Sequence, residues 1–573
     1  MELELAVLGV AAILIIVTVA YFAPRIGVAA PIALVLVGIG CSYLPGTPEL
    51  VVDPDLILMV VLPPILYSAA VNVPASDFRR NFKAISSLAV LLVLVSAFAI
   101  GFLLHLLLPD LGLAAAVALG AVVSPPDAVA ATSIGKRLGL PPRLVTVLEG
   151  EGLVNDATAL VMLRSAVAAT AGVVSFWGVL GDFVIAVAVG LVIGLLVGLV
   201  TVQVRARVDE PVLNTAISFA VPFLAFIPAE ELHASGVLAV VVAGLVTGHQ
   251  SARHFTAQAR ISDRTNWRTI QLLLENGVFL LMGFEITTIV HDVENQHLSV
   301  AGAVAVGLAV TAVLVVVRIA YVVPLIASLR HDQRRAARLA PYLENALARV
   351  DELQQRATDE DRRLHRLTRR LRRKQADASF LAAEGLGWRG GVVIGWSGMR
   401  GVVTLAAAQS LPADLPYRPQ LILIAFTVAI VTLIGQGGTL PLVIRKLRIR
   451  GSDTDADRRE LASLIDEITT VGGATLDNPD LRQATGQPFD PQVVERVRHD
   501  NAAIAKALAE PHDPAEPGRL HQRRELRRLL LQAAQAALLD ARASGVYSSR
   551  ALEHAQIILD NETSRLDTAG PRH

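Results

Sequence analysis

The sequence predicts an all-α polytopic membrane protein, with about thirteen transmembrane helices in two inverted six-helix repeats and added helical cytoplasmic segments. Three observations predict it. Apolar runs of spanning length recur across most of the chain, Lys and Arg gather in alternate short loops, and two spans in corresponding positions are each interrupted midway. Composition agrees: 53% of the 573 residues are hydrophobic and only 18% are charged, whereas soluble domains carry about 25% charged residues. Acidic and basic residues balance at 51 each, which gives no sign of a nucleic-acid partner.

In order, the apolar runs centre near residues 14, 37, 63, 96, 124, 158, 189, 220, 241, 280, 313, 400 and 431. Before the first, Met1 to Glu4 lacks the basic region of a signal peptide and no small-residue cleavage site follows, so the run reads as a span. The second carries the single cysteine, Cys41, expected to be a small buried hydrophobe. One cysteine excludes an internal disulfide and a Cys-based metal cluster. The fifth and twelfth runs are broken by Ser124-Pro125-Pro126-Asp127 and by Gly395-Trp396-Ser397-Gly398-Met399-Arg400-Gly401. Pro removes a helix hydrogen bond and Gly weakens the helix, so both spans should unwind near their middles. Paired interruptions of this kind mark the binding site of a transporter.

Basic residues test the spans between them, because they accumulate in cytoplasmic loops. They cluster at Arg25, at Arg79, Arg80 and Lys83, at Lys136, Arg137 and Arg143, at Arg205 and Arg207, and from Arg253 to Arg268. The intervening loops, Pro45 to Pro54, Pro109 to Gly112, Ala171 to Ser175, Pro228 to Ala234 and His291 to His297, are nearly empty of them. The alternation puts the N-terminus outside and the C-terminus in the cytoplasm, which requires an odd number of spans.

The expected domains are 1–445, a transmembrane domain, and 446–573, a cytoplasmic helical region. Inside the first, residues 330–385 form an Arg-rich insert whose apolar residues, among them Leu343, Ala346, Val350 and Leu353, recur at three-four spacing. That spacing predicts a long helix or helical hairpin able to pair with another helix; a basic arm held near anionic lipid is the alternative. In the C-terminal region, residues 458–470, 491–510 and 520–567 read as helical, with no nucleotide or metal motif.

Asp156 carries the functional reading. It lies in the apolar run from Val145 to Ala171, where an ionisable group costs about 2.5 to 3.5 kcal/mol on insertion scales unless it faces a polar cavity. Gly152, one turn earlier, should leave room there for water or an ion, and Asn155 adds an amide oxygen. Asp127 follows the prolines of the fifth span, where the freed carbonyls of Ser124 and Pro125 can also face a cation. Carboxylates with backbone oxygens make a hard site for a small monovalent cation, and no His or Cys stands beside them to favour a transition metal. A carboxyl group holds a proton or, once ionised, a cation; competition at one acid suffices for exchange.

Other buried charges need partners. We expect an ion pair between Glu151 and Arg400 that braces the broken twelfth span, and a second pair between Arg164 and Glu275, with a place for Glu275 at a cavity mouth as the alternative. Glu285 and Arg318 have no partner legible in the sequence. His105, His233 and His291 read as interfacial residues.

The run Leu148-Glu149-Gly150-Glu151-Gly152-Leu153-Val154-Asn155-Asp156-Ala157 resembles the Asn-Asp signature of the monovalent cation:proton antiporter family 1, which includes bacterial and animal sodium/proton exchangers. Leu62-Pro63-Pro64-Ile65-Leu66, Ser124 to Ala130, Ser235-Gly236 to Gly244 and Gly398-Met399-Arg400-Gly401 resemble further motifs of that family, so the likeness spans roughly residues 5 to 445. It implies crossed broken helices, a homodimer in the cell membrane, no cofactor, and Asp156 as the main cation and proton site shaped by Asn155 and Asp127. It also implies electroneutral one-for-one exchange, which usually accompanies Asn-Asp, in the service of pH homeostasis.

This chain departs from the family at Gly152, where a serine is frequent, at Ser68, where many relatives place an acid, and at Pro126 and Ala128 around Asp127. Ser68, Pro126 and Gly152 are therefore carried as additional site lining. Sodium is the expected cation, with potassium or lithium as alternatives. An intramembrane enzyme is the rival class, but neither Tyr-Asp with Gly-x-Gly-Asp nor His-Glu-x-x-His occurs. A transport-inactive scaffold or sensor is the second rival.

Overall fold

A computed structural model of the chain describes residues 2–45, 53–170, 176–356, 362–383, 385–449, 454–478, 480–483, 486–499 and 519–544, with short stretches between 552 and 563. Among these residues the chain is helical, without a β-strand; one isolated bridge joins Arg482 and Pro488. It divides into two units, residues 1–451 and 452–573.

The first unit opens with α1 (Glu2–Phe22), α2 (Ala30–Ser42) and α3 (Leu62–Asn72). Pro63 and Pro64 supply no N–H to the first turn of α3, and the turn before it, Leu56–Val61, widens to π-helical spacing. Two short helices, α4 (Ala75–Arg80) and α5 (Phe82–Ser86), lead through another π turn into α6 (Val93–Leu107). Then come α7 (Leu113–Val123) and α8 (Ala128–Arg137), the halves of one interrupted span, and α9 (Pro142–Thr170), which carries Asp156. The middle of the unit is α10 (Phe176–Arg205), α11 (Pro211–Glu231), α12 (Gly236–His254), α13 (Ala257–Phe284) and α14 (Ile286–Asn295). It ends with α15 (Val300–Arg356), α16 (Arg362–Ala383), the second interrupted pair α17 (Trp388–Trp396) and α18 (Val402–Gln409), then α19 (Arg418–Thr432) and α20 (Gly438–Lys446).

Among the described residues, seven helical stretches have the length and apolarity to cross a membrane: Phe82–Leu107, Leu113–Arg137, Leu180–Arg205, Pro211–Glu231, Ala257–Asn295, Val300–Val350 and Arg418–Lys446. Three more apolar helices are shorter: Ala6–Phe22, Ala30–Ser42 and Leu56–Asn72. The runs expected near 158, 241 and 400 fall on α9, α12 and the α17–α18 pair. Asn155, Asp156 and Arg164 dilute the apolarity of α9, and the break shortens α17 and α18. Cys41 is half-buried rather than enclosed.

Two apolar cores position the site. One is built on α2, α6, α7, α15 and α19, the other on α3, α11 and α12. The site helix α9 belongs to both: Val147, Leu148 and Met162 enter the first, while Leu153 and Ala157 enter the second. Since lipid tails are as apolar as Leu, close packing and hydrogen bonds between helices hold such a bundle together.

Within residues 330–385, α15 runs on from its apolar half and packs against α16, a helical pair. Asp377 of α16 receives Arg79 at 2.9 Å and Arg80 at 3.0 Å, the guanidinium groups of Arg80 and Arg143 lie over the Phe380 ring, and Lys83 reaches Asp332 at 2.5 Å. The second unit contains α21 (Thr454–Ala474), a helical segment at 491–499 and α22 (Arg519–Ser544). Residues 500–510 and much of 545–567, expected to be helical, lie outside the described residues, as do residues 171–175 and most of the loop at 45–54.

Candidate functional site

The site begins where two helices stop. Pro125 and Pro126 have no N–H, so α7 ends at Val123 and the chain restarts at α8. Asp127 caps that restart, its Oδ1 accepting the Val129 N–H at 2.8 Å. On the other interrupted pair, Ser397 to Gly401 separate α17 from α18. The two breaks meet directly: the Asp127 N–H donates to the Met399 carbonyl at 2.6 Å. A Cβ on Gly401 would overlap the Asp127 carboxyl group, so only glycine permits this approach.

From the side, α9 presents Asn155 and Asp156. Asn155 is fully buried; its Nδ2 donates to the Pro126 carbonyl at 2.7 Å, and its Oδ1 has no hydrogen-bond partner among the described residues. Asp156 and Asp127 are both half-buried, and their charges are near enough to interact. Two carboxyl groups and an amide oxygen thus converge where two helices unwind, a donor set that takes a proton or a hard cation. Gly152 plays a different part from the one expected. A Cβ there would stand 2.5 Å from the Ala128 Cβ, so its missing side chain admits α8 rather than water or an ion.

Both expected ion pairs are corrected. Glu151 pairs with Arg318 of α15, Nη1 to Oε1 at 2.6 Å and Nη2 to Oε2 at 2.9 Å, not with Arg400. The Nε of Arg318 also donates to the Ile394 carbonyl of α17 at 2.9 Å. Arg400 instead donates to the carbonyls of Val123 at 2.9 Å and Ser124 at 3.3 Å, and to that of Gly398. A half-helix ending inside the protein exposes unpaired carbonyls at the negative end of its dipole, and these claim the guanidinium. The Ser124 carbonyl, expected to face a cation, is therefore engaged by Arg400.

The second correction concerns Arg164, which reaches Glu230 of α11 at 2.5 Å and leaves Glu275 to another network. There the Ser68 hydroxyl donates to Gln271 Oε1 at 2.9 Å, and Gln271 Nε2 donates to Glu275 Oε1 at 2.6 Å. Glu275 is half-buried and close enough to Asp127 and Lys136 to interact with their charges. Glu285 accepts Gln409 Nε2 at 3.0 Å. His233 and His291 are exposed, and His105 bonds the Leu111 carbonyl at 2.8 Å.

Sequence reasoning missed one buried network. Arg205, 1% exposed, pairs with Asp263 at 3.1 Å, and Asp263 accepts Ser218, which accepts the Trp267 indole N–H. In the sequence Arg205 is one of the basic residues that mark a cytoplasmic loop; in the structure it ends α10. An Asp at position 263 amid loop arginines was the available signal of a partner.

The family described as sodium/hydrogen exchanger, transmembrane, matches residues 11–446. An uncharacterized Na+/H+ exchanger of Mycobacterium tuberculosis is 28% identical over 517 residues, covering 87% of each chain. A sodium, potassium, lithium and rubidium/H+ antiporter of Bacillus pumilus is 29% identical over 266 residues, 45% of this chain and 40% of that one. The sodium proton antiporter MjNhaP1 of Methanocaldococcus jannaschii has a similar fold, with a TM-score of 0.56 at 17% identity, covering 78% of this chain and 99% of that one.

Proposed function

We propose, from the premise that this chain belongs to the sodium/hydrogen exchanger family, that Asp156 is the group at which its cation and its proton compete. The chain is a multi-pass membrane transporter of the cation/proton antiport type, not an enzyme. The observation that carries the proposal is the convergence of Asp127, Asn155 and Asp156 on the two meeting helix breaks.

Alternating access exposes Asp156 to one side of the membrane at a time. Ionised, it binds the cation with help from Asp127 and the Asn155 amide oxygen; protonated, it returns empty. One cation is exchanged for one proton and no net charge moves, the stoichiometry that the resemblance at Asn155-Asp156 implies. Sodium is the favoured cation. Potassium and lithium are tested beside it, since the Bacillus pumilus relative is named for both. We place the N-terminus outside and the C-terminus in the cytoplasm of the cell membrane, and the protein functions as a homodimer. Residues 1–445 form the transport domain, with 330–385 and 446–573 as cytoplasmic additions.

Dye-reported proton flux in proteoliposomes, on adding sodium, potassium or lithium, tests the proposal. Wild type should respond to at least sodium, and Asp156→Ala should give no response while keeping its elution profile. Full exchange by Asp156→Ala would sink the assignment. Clamping the membrane potential at different values should leave the rate unchanged; a voltage-dependent rate would overturn the one-for-one stoichiometry.

A further inference from the structure

We infer that Ser397 and Gln436 form an internal water site behind the α17–α18 break, and that this water supplies hydrogen bonds to the break as the transporter changes sides. The site itself stands on geometry; its part in transport rests on the functional reading above.

Two hydrogen bonds place the site. At one end of the break the Arg400 N–H donates to Thr432 Oγ1 at 3.0 Å, and at the other the Trp396 indole N–H donates to Thr439 Oγ1 at 2.9 Å. Residues 396–400 therefore run alongside residues 432–439, and Ser397 and Gln436 lie within the stretch that these bonds bracket. Gly437, next to Gln436, packs against Met399: a Cβ there would stand 2.9 Å from the Met399 Sδ. Gln436 lies in a π-helical turn, Leu433–Gly437, that joins α19 to α20, and such turns recur at functional sites.

Polarity decides what the bracketed space takes. Ser397 is 2% exposed and Gln436 4% exposed, yet the Ser397 hydroxyl and both polar atoms of the Gln436 side chain have no hydrogen-bond partner among the described residues. The hydroxyl both donates and accepts, and the amide adds donors and an acceptor oxygen; burying such groups unpaired is unfavourable. A buried water typically makes about three hydrogen bonds to groups of this kind. Charge excludes a cation from the same place. Gly398 lies between two guanidinium groups, since a Cβ on it would stand 2.8 Å from Arg318 Cδ and 3.1 Å from Arg400 Nη1. Glu151 neutralises Arg318, whereas Arg400 serves carbonyls. The surplus charge beside Ser397 is therefore positive and repels a cation.

The break must exchange partners as the protein works. The Met399 carbonyl accepts the Asp127 N–H, and Arg400 holds the Val123 carbonyl. When α17 and α18 shift against α7 and α8, these groups leave one partner before they reach the next. A bridging water is nearly as good a partner as a direct hydrogen bond, so water held by Ser397 and Gln436 lowers the cost of the shift without touching the transported ion.

X-ray hydroxyl-radical footprinting of the full-length protein tests the site, because radiolysis of a bound water oxidises a thioether beside it. Met399, 0% exposed, should be oxidised in wild type, while Met282, 1% exposed in the same apolar core, should stay unmodified. The double variant Ser397→Ala with Gln436→Leu should lose Met399 oxidation several-fold and keep a cooperative thermal melt. In proteoliposomes its maximal rate should fall several-fold at an unchanged half-saturating sodium concentration. Ser397→Ala alone, a smaller change, should show both effects in part and serves if the double variant fails to fold. An unmodified Met399 in wild type, or equal oxidation in the variants, overturns the water site. A wild-type maximal rate after Met399 oxidation is lost overturns its part in transport. Protection of Met399 by added sodium or chloride in Asp156→Ala would assign the space to an ion and overturn the inference. Active exchange by Asp156→Ala defeats the functional reading instead and leaves the footprint standing.

Discussion

Glu151, Arg318 and Arg400 are each about 1–2% exposed, and the three together hold α9, α15 and the interrupted helices in register. Glu151 and Arg318 make a two-pronged pair, while Arg400 serves carbonyls. The division has an energetic consequence. Removing one partner of a buried pair leaves the other charge uncompensated, at a cost of about 3 to 5 kcal/mol. Arg318→Gln and Glu151→Gln should therefore each lower the thermal midpoint strongly, and Glu151→Leu with Arg318→Met should recover much of the loss. A melt in detergent reads this directly. Equal recovery on pairing a Glu151 change with an Arg400 change would return the partnership to Arg400.

The interrupted helices decide what the site can be. Each half is short, α8 with 10 residues and α18 with 8, and each leaves unpaired backbone groups at its inner end. Asp127 caps one such end, Arg400 serves another, and Asn155 ties the Pro126 carbonyl to α9. Asp127 and Asn155 are thus structural as well as oxygen donors, whereas Arg400 is committed to carbonyls. Gly401 sets how closely the breaks meet, because any Cβ there collides with the Asp127 carboxyl group. Gly401→Ala should push the breaks apart and lower the exchange rate by at least about tenfold, an outcome of misplaced groups. Flux in proteoliposomes checks it, and a wild-type rate would show that the contact is unimportant. A Cβ at Gly152 would stand 2.5 Å from the Ala128 Cβ, so Gly152→Ala should likewise push α8 from α9 and lower the exchange rate.

Over the whole transmembrane unit, the helical pair formed by the end of α15 and α16 is fastened by charge. Asp377 takes two arginines from α4, and Phe380 lies beneath Arg80 and Arg143, the latter in the first turn of α9. The short helix α4 also links α3, in one apolar core, to α5 and α6, which belong to the other. Exposed ion pairs contribute little singly, about 0 to 1 kcal/mol, and more when several share one group. Asp377→Asn should therefore loosen α16 locally without unfolding the bundle. Hydrogen exchange in residues 370–383 should speed up several-fold, with protection in α7 and α9 unchanged. Unaltered exchange in α16 would mean that apolar packing on α15 holds it alone.

Sequence alone determined the class of this protein. Apolar runs, alternating basic loops and two broken spans are local properties of the chain, and the Asn155-Asp156 pair, the prolines before Asp127 and the glycines around Arg400 are adjacent residues that can be read without a fold. Partners could not be read that way. Arg318 lies far from Glu151 in sequence, and nothing in an apolar run says which neighbouring helix it will face. Arg400 serves the unpaired carbonyls at the end of α7, which charge pairing along the sequence does not reveal. The space beside Gly152 looked open because only packing reveals that Ala128 fills it. Tertiary structure alone decided these matters, and brought Ser68, Gln271 and Glu275 into one chain of hydrogen bonds. In a bundle, rotation and depth of each helix set the contacts, and both are fixed by all the helices together.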